Sequence, residues 1–245
     1  MKLKKEYFFC VAVGGVPVKT ADQFLKYMDE QMRGDQSKAE LVMEIVSPNW
    51  QRTLEIRTDV KGKGEALTFI DAPAKEKGIG TLRLGNNMWN YFPKLKRKVT
   101  VSPSMLLASW MGSDFTNDDL LKASSMFEDY THTFTPDQKV DGVTYTVIDN
   151  LAKSDAKVIW PRIETLADKK DCLPRYHRYY DKKGELIRTL KLTDVTTFDG
   201  HKVPKRWEMV PHKEQGRRTV MTYKSLQFKV NFKPTHFTLQ NLTGQ

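Results

Sequence analysis

Residues 40–59, ELVMEIVSPNWQRTLEIRTD, decide the fold. ELVMEIVS and WQRTLEIRTD each alternate with a period of two, the spacing at which successive side chains of a strand point to opposite faces. Leu54 and Ile56 face inward while Glu55 and Arg57 face solvent. Pro48-Asn49 breaks the run between them, so two antiparallel strands joined by a tight turn are predicted. The same rhythm continues downstream in EALTFID, KGIGTLRLG, NMWNYFP and KRKVTVS. Lys61-Gly62-Lys63-Gly64, Asp71-Ala72-Pro73 and Gly85-Asn86-Asn87 separate these runs.

Upstream, residues 20–33 (TADQFLKYMDEQMR) predict a helix. Thr20 is its cap, Asp22 and Gln23 occupy the first turn, and Phe24, Tyr27, Met28 and Gln31 or Met32 recur at nearly helical spacing before Gly34. Its apolar stripe must cover a sheet face or lid a cavity. The carboxy-terminal half repeats the extended pattern in KVIWPRIETLAD, LPRYHRYYD, LIRTLKLTDVTTF, VPKRWEMVP and RRTVMTYKSLQFKV, and His132 lies in a separate strand-like run. Short helices are expected only near Pro103–Leu107 and Asn117–Lys122. Many strands and few helices predict a mainly β protein, a large curved antiparallel sheet or open barrel whose edges and inner side need closure or helical cover.

The 245 residues carry a formal net charge of +10, a balance that suits anionic lipid or nucleic acid. No nucleic-acid reading module or dense basic helix is present. The start, MKLKKEYFFCVAVGGVPVKT, sets Lys2, Lys4 and Lys5 before an apolar run, as in a secretory leader over residues 1–19, with one domain over 20–245. The run is too short for a spanning helix. Loss of such a leader would remove Cys10 and leave Cys172 as an unpaired strand-face thiol.

The segment 85–120, GNNMWNYFPKLKRKVTVSPSMLLASWMGSDFTNDDL, concentrates bulky apolar residues beside a basic cluster. Trp89, Met105, Trp110, Met111 and Phe115 are the candidate lipid contacts, with Gly112 and Ser113 shaping a loop at a cavity mouth; the alternative is a plug that closes the sheet interior. Lys94, Lys96, Arg97 and Lys98 are candidate contacts for an anionic headgroup or a partner. Alternation places Arg97 opposite the lysines, so solvated strand decoration is the competing reading.

Catalytic patterns are poor. Ser102, Ser104, Ser109 and Ser113 lie near Asp114, Asp118 and Asp119 without a Gly-x-Ser-x-Gly elbow, and the five histidines are dispersed without zinc-ligand spacing. A phosphate-cradling glycine loop is also missing. The reading is a protein that is not an enzyme and needs no cofactor or metal.

Residues 87–93 (NMWNYFP), 102–105 (SPSM) and 109–120 (SWMGSDFTNDDL), together with 46–50 (VSPNW), 208–211 (EMVP) and 220–225 (VMTYKS), closely resemble the outer-membrane lipoprotein-sorting family within the LolA superfamily of periplasmic lipoprotein carriers. The resemblance spans about residues 20–243. It implies a half-open antiparallel β-barrel of the LolA/LolB kind, with helices covering a hydrophobic interior. It further implies a carrier in the periplasm of a Gram-negative bacterium that binds acyl chains of a lipoprotein or other lipid and transfers them toward the outer membrane. An inner-membrane exporter of the resistance-nodulation-division type or an outer-membrane receiver is the implied partner, and no nucleic acid is expected. The alternative is a non-carrier accessory or scaffold protein of a lipid-export complex.

Overall fold

A computed structural model describes residues 18–121 and 126–243. The helix α1 runs over Ala21–Arg33, and its cap is the predicted one. Thr20 accepts a hydrogen bond from the Gln23 amide while the Gln23 side chain accepts from the Thr20 amide, a reciprocal pair that satisfies two otherwise unbonded helix-start donors. Gly34 ends it at a backbone φ of 61°.

Two strands follow, β1 (Gln36–Ser47) and β2 (Trp50–Lys61), paired from Ser47 opposite Trp50 across the Pro48-Asn49 turn. Ala39, Leu41, Met43 and Ile45 of β1 and Leu54 and Ile56 of β2 are buried, whereas Glu55 and Arg57 are exposed. The predicted alternation thus sets the core. The meander continues through β3 (Glu65–Ala72), β4 (Gly80–Leu84), β5 (Asn87–Phe92) and β6 (Arg97–Thr100). After a connection holding 3-10 turns at Pro103–Met105 and Trp110–Gly112 come the short helices α2 (Asn117–Leu121) and α3 (Met126–Asp129). The second meander is β7 (Tyr130–Val140), β8 (Val143–Ala152), β9 (Arg162–Ala167), β10 (Pro174–Tyr180), β11 (Leu186–Phe198), β12 (His201–Pro211) and β13 (Arg218–Gln227). The helix α4 (Leu239–Thr243) closes the described chain.

All thirteen strands form one sheet in the order β6-β5-β4-β3-β2-β1-β13-β12-β11-β10-β9-β8-β7. Pairing of β1 with β13 joins the two meanders, and every neighbouring pair is antiparallel. The expected half-open β-barrel is corrected by this order. The terminal strands β6 and β7 each pair on one side only, so the sheet is open and its buried faces are covered by other elements instead of by closure. Covering elements lie on both faces. Phe24, Leu25 and Met28 of α1 pack with Ile148 and Ala167 at the β8–β9 end, while Phe237 and Leu242 pack on Leu67 and Leu82 of β3 and β4. A Cβ at Gly80 would lie 2.8 Å from both Leu242 Cδ1 and Phe69 Cε1, which explains glycine where the carboxy-terminal segment approaches β4.

No helix among the described residues is long and apolar enough to cross a membrane. The expected leader lies, up to residue 17, outside the described residues. Cys172 is buried and disulfide-bonded, and it lies in the connection between β9 and β10 instead of on the expected strand face. The sequence holds one other cysteine, Cys10, so a chain cut after residue 19 would have no second sulfur for that bond.

Candidate functional site

Strand β4 shows how the site arises. Its residues Gly80, Thr81, Leu82 and Arg83 are all buried because both faces of the strand are covered. Gly80 and Leu82 face the carboxy-terminal segment, while Thr81 and Arg83 face a cavity of about 430 Å³ on the other side. That volume falls in the range of small-molecule sites, about 300–1,000 Å³.

Apolar groups from every quarter of the fold form the wall. Leu25, Met28 and Met32 enter from α1, Leu41 and Ile56 from the first hairpin, and Met88 from β5. Leu190 and Leu192 of β11, Trp207 and Met209 of β12, and Met221 and Tyr223 of β13 complete it, each pair two residues apart and therefore on one sheet face. Burial pushes the Tyr223 hydroxyl up to about 12 and the Tyr179 hydroxyl higher still, so both stay neutral.

Trp110 and Phe115, two of the five candidate lipid contacts, stand in this wall. Their loop is fastened at many points. Trp110 Nε1 donates to Thr81 Oγ1 at 3.1 Å, Ser113 Oγ donates to the Trp110 carbonyl at 2.7 Å, and an Arg52 guanidinium NH donates to the Met111 carbonyl. Asp114 binds Arg217 at 2.6 Å and accepts from Thr219 Oγ1 at 2.6 Å. Met111 adopts a left-handed backbone with φ of 52°, a conformation costing roughly 1–2 kcal/mol for an L-residue, and the Arg52 bond holds it there. A few residues on, Asp119 of α2 forms a two-pronged ion pair with Arg188, which is itself stacked 4.4 Å from the Trp160 ring and 4.3 Å from the Tyr179 ring. Burial works against the Arg188 charge, but Asp119 together with Tyr179 and Asp118 outweighs it and raises the pKa. Stretch 110–119 is therefore a fastened cover over the cavity.

The remaining candidates lie elsewhere. Met111 packs half-buried on the core beside the wall. Met105 holds the loop through its carbonyl, which accepts from Asn117 Nδ2 at 2.9 Å, and its side chain stays outside the wall. Trp89 points to the opposite face with Phe237 and Leu242, because it shares the parity of Tyr91 and not that of Met88. Lys94, Lys96, Arg97 and Lys98 are exposed on the turn after β5 and on the edge strand β6, with Leu95 exposed among them. They do not line the cavity. Sequence reasoning missed Arg83 and the paired cavity residues of β11–β13. The signal for the latter was present as Leu190/Leu192, Trp207/Met209 and Met221/Tyr223; nothing in the alternation told which face of the sheet was hollow. Among the described residues no group of three or more His, Cys, Asp or Glu side chains is arranged to hold a metal.

A family model described as an uncharacterized protein matches residues 62–244. The chain belongs to this family. The family's matched span holds β3–β13 and the cavity cover, while α1 and the whole first hairpin, β1 and β2, precede it. No curated protein matches the chain. Among solved structures it is similar to a DUF1329 family protein from Desulfovibrio piger, with 24% identity, a TM-score of 0.83 and coverage of 91% of this chain and 97% of that one. An outer membrane lipoprotein-sorting protein domain from Vibrio parahaemolyticus aligns at 23% identity and TM-score 0.80, covering 91% and 98%. A LolA superfamily protein from Nitrosomonas europaea aligns at 19% identity and TM-score 0.78, covering 91% and 100%. At these identities the likeness is one of fold.

Proposed function

We propose that this chain is a non-catalytic periplasmic carrier that holds the acyl chains of a lipoprotein or another lipid in the cavity between the sheet, α1 and the 110–119 cover, and passes them toward the outer membrane. The observation that carries the reading is the cavity itself, a hollow of about 430 Å³ walled mainly by leucine, methionine and aromatic side chains. Such a wall stabilises hydrocarbon by about 0.8 kcal/mol per buried methylene before the costs of opening and ordering. The fold likeness to a lipoprotein-sorting domain and to a LolA superfamily protein agrees with this use. The amino-terminal basic and apolar segment is read as the export signal.

Trp110 and Phe115 are the contacts that meet the cargo; Met111, Met105 and Trp89 support the wall from outside it. Loading comes from an inner-membrane exporter of the resistance-nodulation-division type, and release needs an outer-membrane receiver that competes for the chains. The test is to fill the hollow. Thr68 lines the cavity and its hydroxyl lies 2.8 Å from that of Thr58. Thr68→Trp is expected to lower affinity for a fluorescent C16 acyl probe about tenfold or more with the thermal melt retained, because the added ring occupies the site. A folded variant that binds the probe as wild type does would overturn the assignment.

A further inference from the structure

Arg83 is 3% exposed, yet it projects from β4 into a mainly apolar wall that also carries Asp29, Arg33, Asp118 and Asp119. Burying a guanidinium costs several kcal/mol unless an anion and hydrogen bonds compensate it. Compensation here is partial. Nη1 donates to the Leu121 carbonyl at 3.0 Å and the Leu120 carbonyl at 3.2 Å, Nε is buried without a partner, and Nη2 makes no hydrogen bond among the described residues. Among the described residues no carboxylate forms an ion pair with it. Asp29 is engaged with Arg33 at 2.8 Å, Asp119 with Arg188, and the Asp118 charge acts on Tyr130 and Arg188. Burial, and then the neighbouring Arg33 cation, push Arg83 down to about 10, so it still carries its charge at neutral pH.

We infer that Arg83 is the anchor for an anionic head inside the cavity, so that the cargo is an acidic amphiphile, a carboxylate or phosphate on a hydrocarbon chain, seated with its head at β4 and its chain along the Leu190, Leu192 and Met221 side. An acyl chain of a lipoprotein entering methyl end first brings no anion to this point, whereas an acidic head supplies the acceptor oxygens that the guanidinium fork lacks. The inference rests on the carrier reading and narrows its cargo.

Matched chains separate the two ideas. Displacement of a fluorescent acyl probe is measured with palmitate, monohexadecyl phosphate, methyl palmitate and hexadecanol on wild-type protein, Arg83→Met and Arg83→Lys. Wild type is expected to prefer the two acids over the ester and alcohol by about tenfold or more; Arg83→Met abolishes the preference and Arg83→Lys keeps part of it. A preference for palmitate alone identifies a carboxylate cargo, and for the phosphate alone a phospholipid-like one. A residue that only caps α2 would leave wild-type selectivity flat. Equal binding of acid and ester overturns the anchor while leaving the carrier standing, and binding of none of the four overturns both. The wild-type comparison stands even where Arg83→Met fails to fold.

Discussion

His177 stands on β10 with its ring at the cavity wall, Nδ1 3.0 Å from Thr165 Oγ1, and burial pushes its pKa down from 6.5 to about 4. Between those values the unfolded chain takes up a proton that the folded chain refuses. The contribution to stability is complete above about pH 6.5 and drains as pH falls toward 4, by at most about 3 kcal/mol. Melting of wild type and His177→Gln across pH 4–7 reads this. Wild type is expected to lose more stability toward pH 4 than the variant, and parallel pH curves would remove His177 from the account. Arg83 illustrates the limit of reading single residues. In GTLRL the alternation offers leucine for one face and arginine for the other, and the ordinary inference sends arginine to water. It fails because the segment 228–243 covers the leucine face and the cavity lies under the arginine face, so both sides of β4 are buried.

At the scale of the element, the stretch 110–119 decides between an open mouth and a fastened cover. Asp114 ties it to β13 through Arg217 and through Thr219, whose hydroxyl also accepts from the Asp114 amide at 2.9 Å. Asp114→Asn removes the charge from this half-buried pair and is expected to cost about 2 kcal/mol. The same loosening should speed release of a bound acyl probe. Denaturant unfolding and stopped-flow release check both, and unchanged values in a folded variant would mean that the fastening is dispensable. Legibility varied along the chain for physical reasons. The helix α1 was read with its cap because Thr20 and Gln23 form a local pair, and the first hairpin because Leu54 and Ile56 alternate with Glu55 and Arg57. Strand β8 was obscure because Tyr145–Ile148 are buried on both sides and show no alternation. The helix α4 was invisible because LQNLT is short and polar, and it is held by Leu242 against β4.

For the whole molecule, the same alternation that revealed strands could not reveal closure. A half-open barrel and an open sheet share their strands and differ in whether the end strands meet, and that depends on the covering elements. Here α1 and the 110–121 stretch occupy the cavity side, the 228–243 segment occupies the other, and β6 and β7 remain separate edges. The edge β6 presents Arg97 and Lys98 to solvent, a charge pattern that also discourages strand addition by another chain. A sheet covered in this way leaves a sizeable, mainly apolar hollow, and the account stands or falls on whether that hollow is filled in the cell. Native mass spectrometry of protein gently released from the periplasm measures this directly. The account predicts a mass excess of one acidic amphiphile per chain, lost from Thr68→Trp. Protein that is uniformly free of lipid on release, and that stays so after incubation with lipid vesicles, would contradict it.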